Sequence, residues 1–353
     1  MVVNTSGSVA FVSNAGSASV SGYLLDSGTG FLTPSSVPPF PAGTTPQTLT
    51  LEPFERFAFV ANTGANSVSV YSVNTTTGIL TAPPVISFSV GTQPQQATVV
   101  TVNPARQFVY LANAGSGNIS GFFLNTANGF LTPVPGSPAV VGATPRSVVA
   151  DSAGKFVYVS NEGASSISAF GVDQTTGALL ATVTGAPFSA GTTPQPVTLH
   201  PSKPFAYVAN AGSANLSAYS VNPSTGVFTP IANPATPGID FFNAGTAPQQ
   251  VTIDPTGKFA IVANSGSDNV SVYEINQSTG ELAEVAGSPF LAGDLPRRVT
   301  VDPTGKFVFV PNSGSSNVSV YRLNATTGFL SPVTGSPFPA GTGPRSATTA
   351  GAF

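Results

Sequence analysis

The chain has no cysteine and no tryptophan, a single histidine, and only 7% charged residues across 353 positions. Without cysteine there are no disulfides, no thiolate metal sites and no Cys nucleophile. One histidine cannot build a His-rich metal site. The eleven Lys and Arg are scattered and the net charge is −3, which excludes the basic stripe that phosphate neutralisation demands of a nucleic-acid binder. No apolar run approaches the roughly 18 residues of a membrane-spanning helix. The segment VVNTSGS after Met1 has neither a basic start nor an apolar core, so it does not read as a signal peptide. Ser, Thr, Asn and Gln must carry most of the solvation, and this sparse charge leads us to expect an extracellular or cell-surface protein.

What is present is repetition. With 41% hydrophobic residues, 37 Gly and 33 Pro, the chain is apolar enough to fold and too long for one ordinary core. The phrase FVYVAN recurs seven times, ending at Asn14, Asn62, Asn113, Asn161, Asn210, Asn264 and Asn312, at spacings of 48, 51, 48, 49, 54 and 48 residues. A constant period of this size signals a solenoid or a propeller.

Each period holds four strand-like runs separated by turn chemistry. In residues 297–333 a first run passes through Asp302-Pro-Thr-Gly305 into Phe307-Val-Phe-Val310, which is apolar on both faces. Such a strand sits between two neighbouring sheets rather than facing water. The next run, Asn317-Val-Ser-Val-Tyr321, alternates and reads as half-buried. A turn of Asx, three residues and Gly follows in all seven copies, for example Asn276 to Gly280, where Asx caps the turn and Gly takes positive φ. The runs are too short for an outer-membrane barrel. These features predict an all-β fold, one seven-bladed β-propeller over residues 1–353, with four antiparallel strands per blade.

The phrases FVYVANAGSGNIS at residues 108–120, DPTGK at Asp254 and Asp302, and GSPFPAGTGPRS at residues 335–346 resemble the YVTN-repeat and seven-bladed lactonase-like propellers. That family includes 6-phosphogluconolactonases and a muconate-lactonising enzyme, and the resemblance implies a site of Arg, His and Glu around the channel mouth. The absence of tryptophan separates the chain from WD40 propellers.

The innermost strand should line the channel. Immediately after the linker proline the copies carry Gln47, Gln95, Arg146, Gln195, Gln249, Arg297 and Arg345, a predicted ring of amides and guanidiniums at one mouth. Three guanidiniums favour a carboxylate or phosphate ligand, and a plain water-filled lining is the alternative. At the far end of the same strand stand Asn4, Glu52, Asn103, Asp151, His200, Asp254 and Asp302, so His200 occupies a turn position. The resembling family's inner-strand His-Pro-His phrase is missing, and no partner Glu is read beside the arginines. We therefore assign no catalytic residue, no metal ligand and no cofactor. No G-x-S-x-G, H-E-x-x-H or P-loop phrase occurs. Eight N-x-[ST] sequons are present, as a chain rich in these residues produces by composition.

The innermost strand has eight copies against seven of its neighbour, because residues 2–4 and residues 345–350 align to the same slot. We expect the C-terminal strand to close the ring and the N-terminal one to be displaced or marginal, with head-to-tail homo-oligomers or filaments as the consequence if the surplus strand augments another molecule. The functional expectation is a non-catalytic binding or structural module with a macromolecular or small anionic partner. The alternative is a lactonase-like hydrolase acting on a sugar lactone or other anionic lactone.

Overall fold

A computed structural model describes every residue except 1, 5, 27, 30, 36–38, 82–86, 104–105, 235–239, 341, 345–347 and 350–353. Seven antiparallel sheets follow one another along the chain, each a meander whose strands run from inside to outside. The sixth blade is representative: Pro248–Ile253, Phe259–Asn264, Asn269–Ile275 and Leu282–Glu284. A fifth strand, Phe290–Leu291, pairs with the opening of Asn269–Ile275 while Leu282–Glu284 pairs with its end. The outermost position of each blade is thus shared by two short segments, one more than the four runs read from the sequence. Among the described residues there is no α-helix, and the single helical turn is the 3-10 turn Glu162–Ala164. No helix is long and apolar enough to cross a membrane.

The second strand of each blade is buried along its apolar length, save the partly exposed Phe156 in the fourth, because it is packed on both faces. Phe259, Ile261 and Ala263 join one cluster with Val308, Val310 and Tyr321 of the seventh blade, while Ala260 and Val262 turn to the fifth. Seven such clusters occupy the seven interfaces, including Phe307 and Phe309 against Ala10 and Val12 where the last blade meets the first. The third strand adds polar ties: the hydroxyls of Tyr71, Tyr219 and Tyr273 donate to the Pro41, Ser189 and Asn243 carbonyls of the preceding blade. The repeating Asn that ends the second strand is buried in every copy. Its Nδ2 bridges two side chains of the third strand, as Asn264 does to Asn269 and Ser271. The Asx turns form as expected: Asn276 Oδ1 accepts from Ser278 and Thr279 N–H, and Gly280 has φ +78°. Among the sequons, Asn4 is fully buried, whereas Asn74, Asn276 and Asn324 stand exposed at turns.

Closure differs from the expectation that one terminal strand is displaced. Pro344 bridges Asn14, the place the linker proline holds in the other blades. Val2–Val3 then takes the inner slot against Phe11 and Ala10, and Thr348–Thr349 runs parallel to it on the channel side. Both ends pair within one sheet, so the C-terminal strand does not close the ring by itself, and among the described residues no strand is left over for a neighbour. The physical reason is that an inner strand has two hydrogen-bonding edges, so the slot that only one segment can fill leaves an edge that the other can pair.

Candidate functional site at the channel mouth

The inner strand enters each blade at the linker proline and is immediately irregular. Its register slips between Pro46 and Leu49, Pro94 and Gln96, Pro145 and Ser147, Pro194 and Val197, and Pro248 and Val251. A bulge of this kind re-aims side chains, and here it brings residues from both positions after proline to the channel. Gln47, Gln95, Arg146, Gln195, Gln249 and Arg297 line one cavity, as predicted, together with Thr48, Gln96, Pro196 and Arg298. Arg345 lies outside the described residues. The cavity has a volume of about 50 Å3, several times what one water needs, so it suits a small anion or the reacting end of a larger ligand.

The ring is organised by hydrogen bonds between neighbours. Arg297 Nη1 donates to Gln249 Oε1 at 3.3 Å and its Nε to Ser313 Oγ at 3.1 Å. Arg146 Nη1 donates to Gln95 Oε1 at 3.5 Å. Gln195 and Gln249 donate to the carbonyls of Thr193 and Ala247, two residues back. These bonds hold the amides and guanidiniums in place around the opening.

Two residues that the sequence reading missed complete the site. Glu162 follows the buried Asn161, and its backbone N–H is held at 2.9 Å by the carbonyl of Thr144, just before Pro145 and Arg146. This bond recurs: Ser265 is held to Ala247 and Ser313 to Leu295, so the residue after each repeating Asn stands beside a ring residue. In six copies it is small, being Ala15, Thr63, Ala114, Ala211, Ser265 or Ser313. In the fourth it is Glu162, whose Oε2 lies 3.7 Å from Arg146 Nη1. The finding that no Glu accompanies the arginines is therefore corrected, because the partner is close through the ladder and not along the chain. The discernible signal was the one charged residue in that column.

The second missed residue is Arg298, 8% exposed, which donates through Nη2 to Gln96 Oε1 at 2.7 Å. Gln96 belongs to the third blade and Arg298 to the seventh, so this bond crosses the channel beneath the ring. Burial lowers the Arg298 pKa to about 9, and the positive charge of Arg146 adds to the shift. Its signal was Arg298 directly after Arg297, one step beyond the position that alternation assigns to the channel.

His200 is not at this mouth. Its Nδ1 accepts the backbone N–H groups of Ser202 and Lys203, and its Nε2 faces the Gly257 carbonyl. It thus caps the first hairpin of its blade as Asp254 and Asp302 cap theirs by accepting from Phe259 and Phe307 N–H.

A family model, the seven-bladed β-propeller lactonases, matches residues 1–193 and 180–344. The chain belongs to this family. Among solved structures it is similar to the periplasmic gluconolactonase of Pseudomonas aeruginosa, at 18% identity and TM-score 0.77 over 96% of this chain and 97% of that one. A proposed 6-phosphogluconolactonase from Bacteroides uniformis superposes with TM-score 0.80 at 21% identity, covering 95% and 96%. A protein from Lactobacillus plantarum superposes with TM-score 0.79 at 19% identity, covering 95% and 97%. Comparison with curated protein sequences gave no match. The expectation of a non-catalytic binding or structural module is overturned by this membership in a lactonase family. That reading rested on the sparse charge and on the lack of a complete catalytic set in the sequence.

Proposed function

We propose that this lactonase-family propeller is a hydrolase that opens a sugar lactone or another anionic lactone at the channel mouth. The observation that carries the proposal is Glu162, whose carboxylate lies 3.7 Å from Arg146, a residue that lines the cavity together with Arg297 and Arg298. Lactone opening needs a base to activate water and a donor to meet the oxyanion. Glu162 is the carboxylate joined to the cavity lining through Arg146, whose guanidinium orients it.

In the reaction, Glu162 takes a proton from water as the water oxygen bonds to the lactone carbonyl carbon. The carbonyl electrons move onto oxygen, where a guanidinium N–H meets them. The intermediate then collapses with cleavage of the ring C–O bond, and the leaving alkoxide recovers the proton from Glu162. The product is the ring-opened hydroxy acid, whose carboxyl then releases its proton to solvent and leaves as the carboxylate. Arg297, fixed by Ser313 and Gln249, suits the anionic substituent of the substrate. The low density of charge elsewhere on the chain supports a working place outside the cell or at its surface.

The proposal is tested by initial-rate hydrolysis of a panel of neutral and phosphorylated sugar lactones. Turnover above the buffer rate, greater for the anionic members, supports it. Rates equal to buffer for every member would reject it.

A further inference from the structure

Arg298 is a buried cation in a protein with few charges. It lies 8% exposed beneath the mouth, and among the described residues its hydrogen bond to Gln96 Oε1 is the one its guanidinium makes. A guanidinium has five N–H donors. The charged group that bears on it is Arg146, which is repulsive, and among the described residues no carboxylate pairs with it. Burying an unpaired charge is costly, so a chain retains one where it is used.

The backbone around Arg298 is built to present it. In the second to sixth blades a six- or ten-residue inner strand starts at the linker proline, as in Pro46–Leu51 and Pro94–Asn103. In the seventh blade only Thr300–Val301 pairs regularly, and Pro296 makes an isolated bridge to Asn312. The seventh blade carries Pro311 in its second strand where the other copies have Ser13, Ala61, Ala112, Ser160, Ala209 and Ala263. Its carbonyl accepts Arg297 N–H at 2.9 Å, so the edge where its missing N–H would have pointed is the edge facing the inner strand. Proline withholds that ladder bond, so Arg298 lies in an unladdered stretch between Arg297, whose N–H is held by Pro311, and Thr300, which pairs with Phe309.

We propose that Arg298 is an anion receptor at the floor of the mouth, taking a carboxylate through two parallel N–H···O bonds from its unused donors. A planar oxyanion matches the guanidinium fork, and the small cavity of about 50 Å3 admits a carboxylate group at the end of a ligand that enters from the mouth. The inference deepens the hydrolytic reading: the carboxylate is the one released when the lactone opens, so Arg298 retains the product and sets which hydroxy acids bind.

The test is isothermal titration of the full chain with sodium gluconate and, separately, inorganic phosphate. The wild type is compared with Arg298→Met, and with Arg298→Lys, which keeps the charge and loses the fork. Wild type should bind gluconate, and Arg298→Met should bind it at least about tenfold more weakly with a Tm no lower than wild type, since an apolar side chain replaces a buried charge. Arg298→Lys should fall between the two. Equal gluconate affinity in wild type and Arg298→Met, no gluconate binding to wild type, or an Arg298-dependent site that takes phosphate and not gluconate would overturn the receptor. Binding is read without turnover. Gluconate held through Arg298 with no lactone hydrolysed keeps the receptor and removes the hydrolase, and hydrolysis without Arg298-dependent binding does the reverse.

Discussion

His200 Nε2 lies 2.9 Å from the carbonyl oxygen of Gly257, joining the first hairpin of the fifth blade to that of the sixth. Because Nδ1 accepts two backbone N–H groups, the neutral tautomer with the proton on Nε2 is the one that fits.

Stability should therefore depend on pH through this one residue. Burial lowers the His200 pKa from 6.5, Gly257 and Asp254 oppose the shift, and Lys203 adds to it. The folded value is below the unfolded one, so the unfolded chain takes up the proton first. The contribution is complete above about pH 6.5 and is lost as pH falls through the interval down to the folded pKa. His200→Asn keeps an acceptor that does not titrate. Wild-type Tm should fall relative to this variant between about pH 7 and about pH 5, and parallel curves would contradict the assignment.

The repeating Asn is the second place where one side chain holds a blade. Asn264 is fully buried, its Nδ2 bridges Asn269 and Ser271, and a Cβ on Gly245 would come within 2.6 Å of its Cγ. Asn264→Ala should cost about 1–3 kcal/mol, because it removes two hydrogen bonds and leaves their acceptors buried. Chemical denaturation measures this, and a change within experimental error would mean that the ladder is redundant.

Pro311→Ala should stabilise the seventh blade while harming its function. The restored N–H can close the inner ladder, adding about 0.5–1.5 kcal/mol, and ties the Arg298 backbone to the second strand. Tm should rise and gluconate affinity should fall. A lower Tm would show that the irregular segment is held by something other than the missing donor.

The seven blades were legible because every copy repeats the same apolar second strand, Asx turn and linker proline. The ring of Gln47, Gln95, Arg146, Gln195, Gln249 and Arg297 was legible too, since proline marks the start of the inner strand in each copy. Arg298 was not, because strict alternation assigns its position away from the channel and the bulge after proline reverses that. Glu162 was hidden for a different reason: it is sixteen positions from Arg146 in the chain, and only the Thr144 carbonyl brings the two together. Shared closure by both termini follows from two edges of one strand, which counting copies of a slot does not reveal.

Hydrolysis by Glu162→Gln tests the central claim most directly. The substitution keeps size and hydrogen bonding at the rim and removes the base. With the lactone that wild type turns over fastest, the rate constant should drop by about 100- to 10,000-fold, the usual worth of a positioned base, with Tm unchanged. A Glu162→Gln enzyme as fast as wild type would contradict the account and return the channel mouth to a binding role.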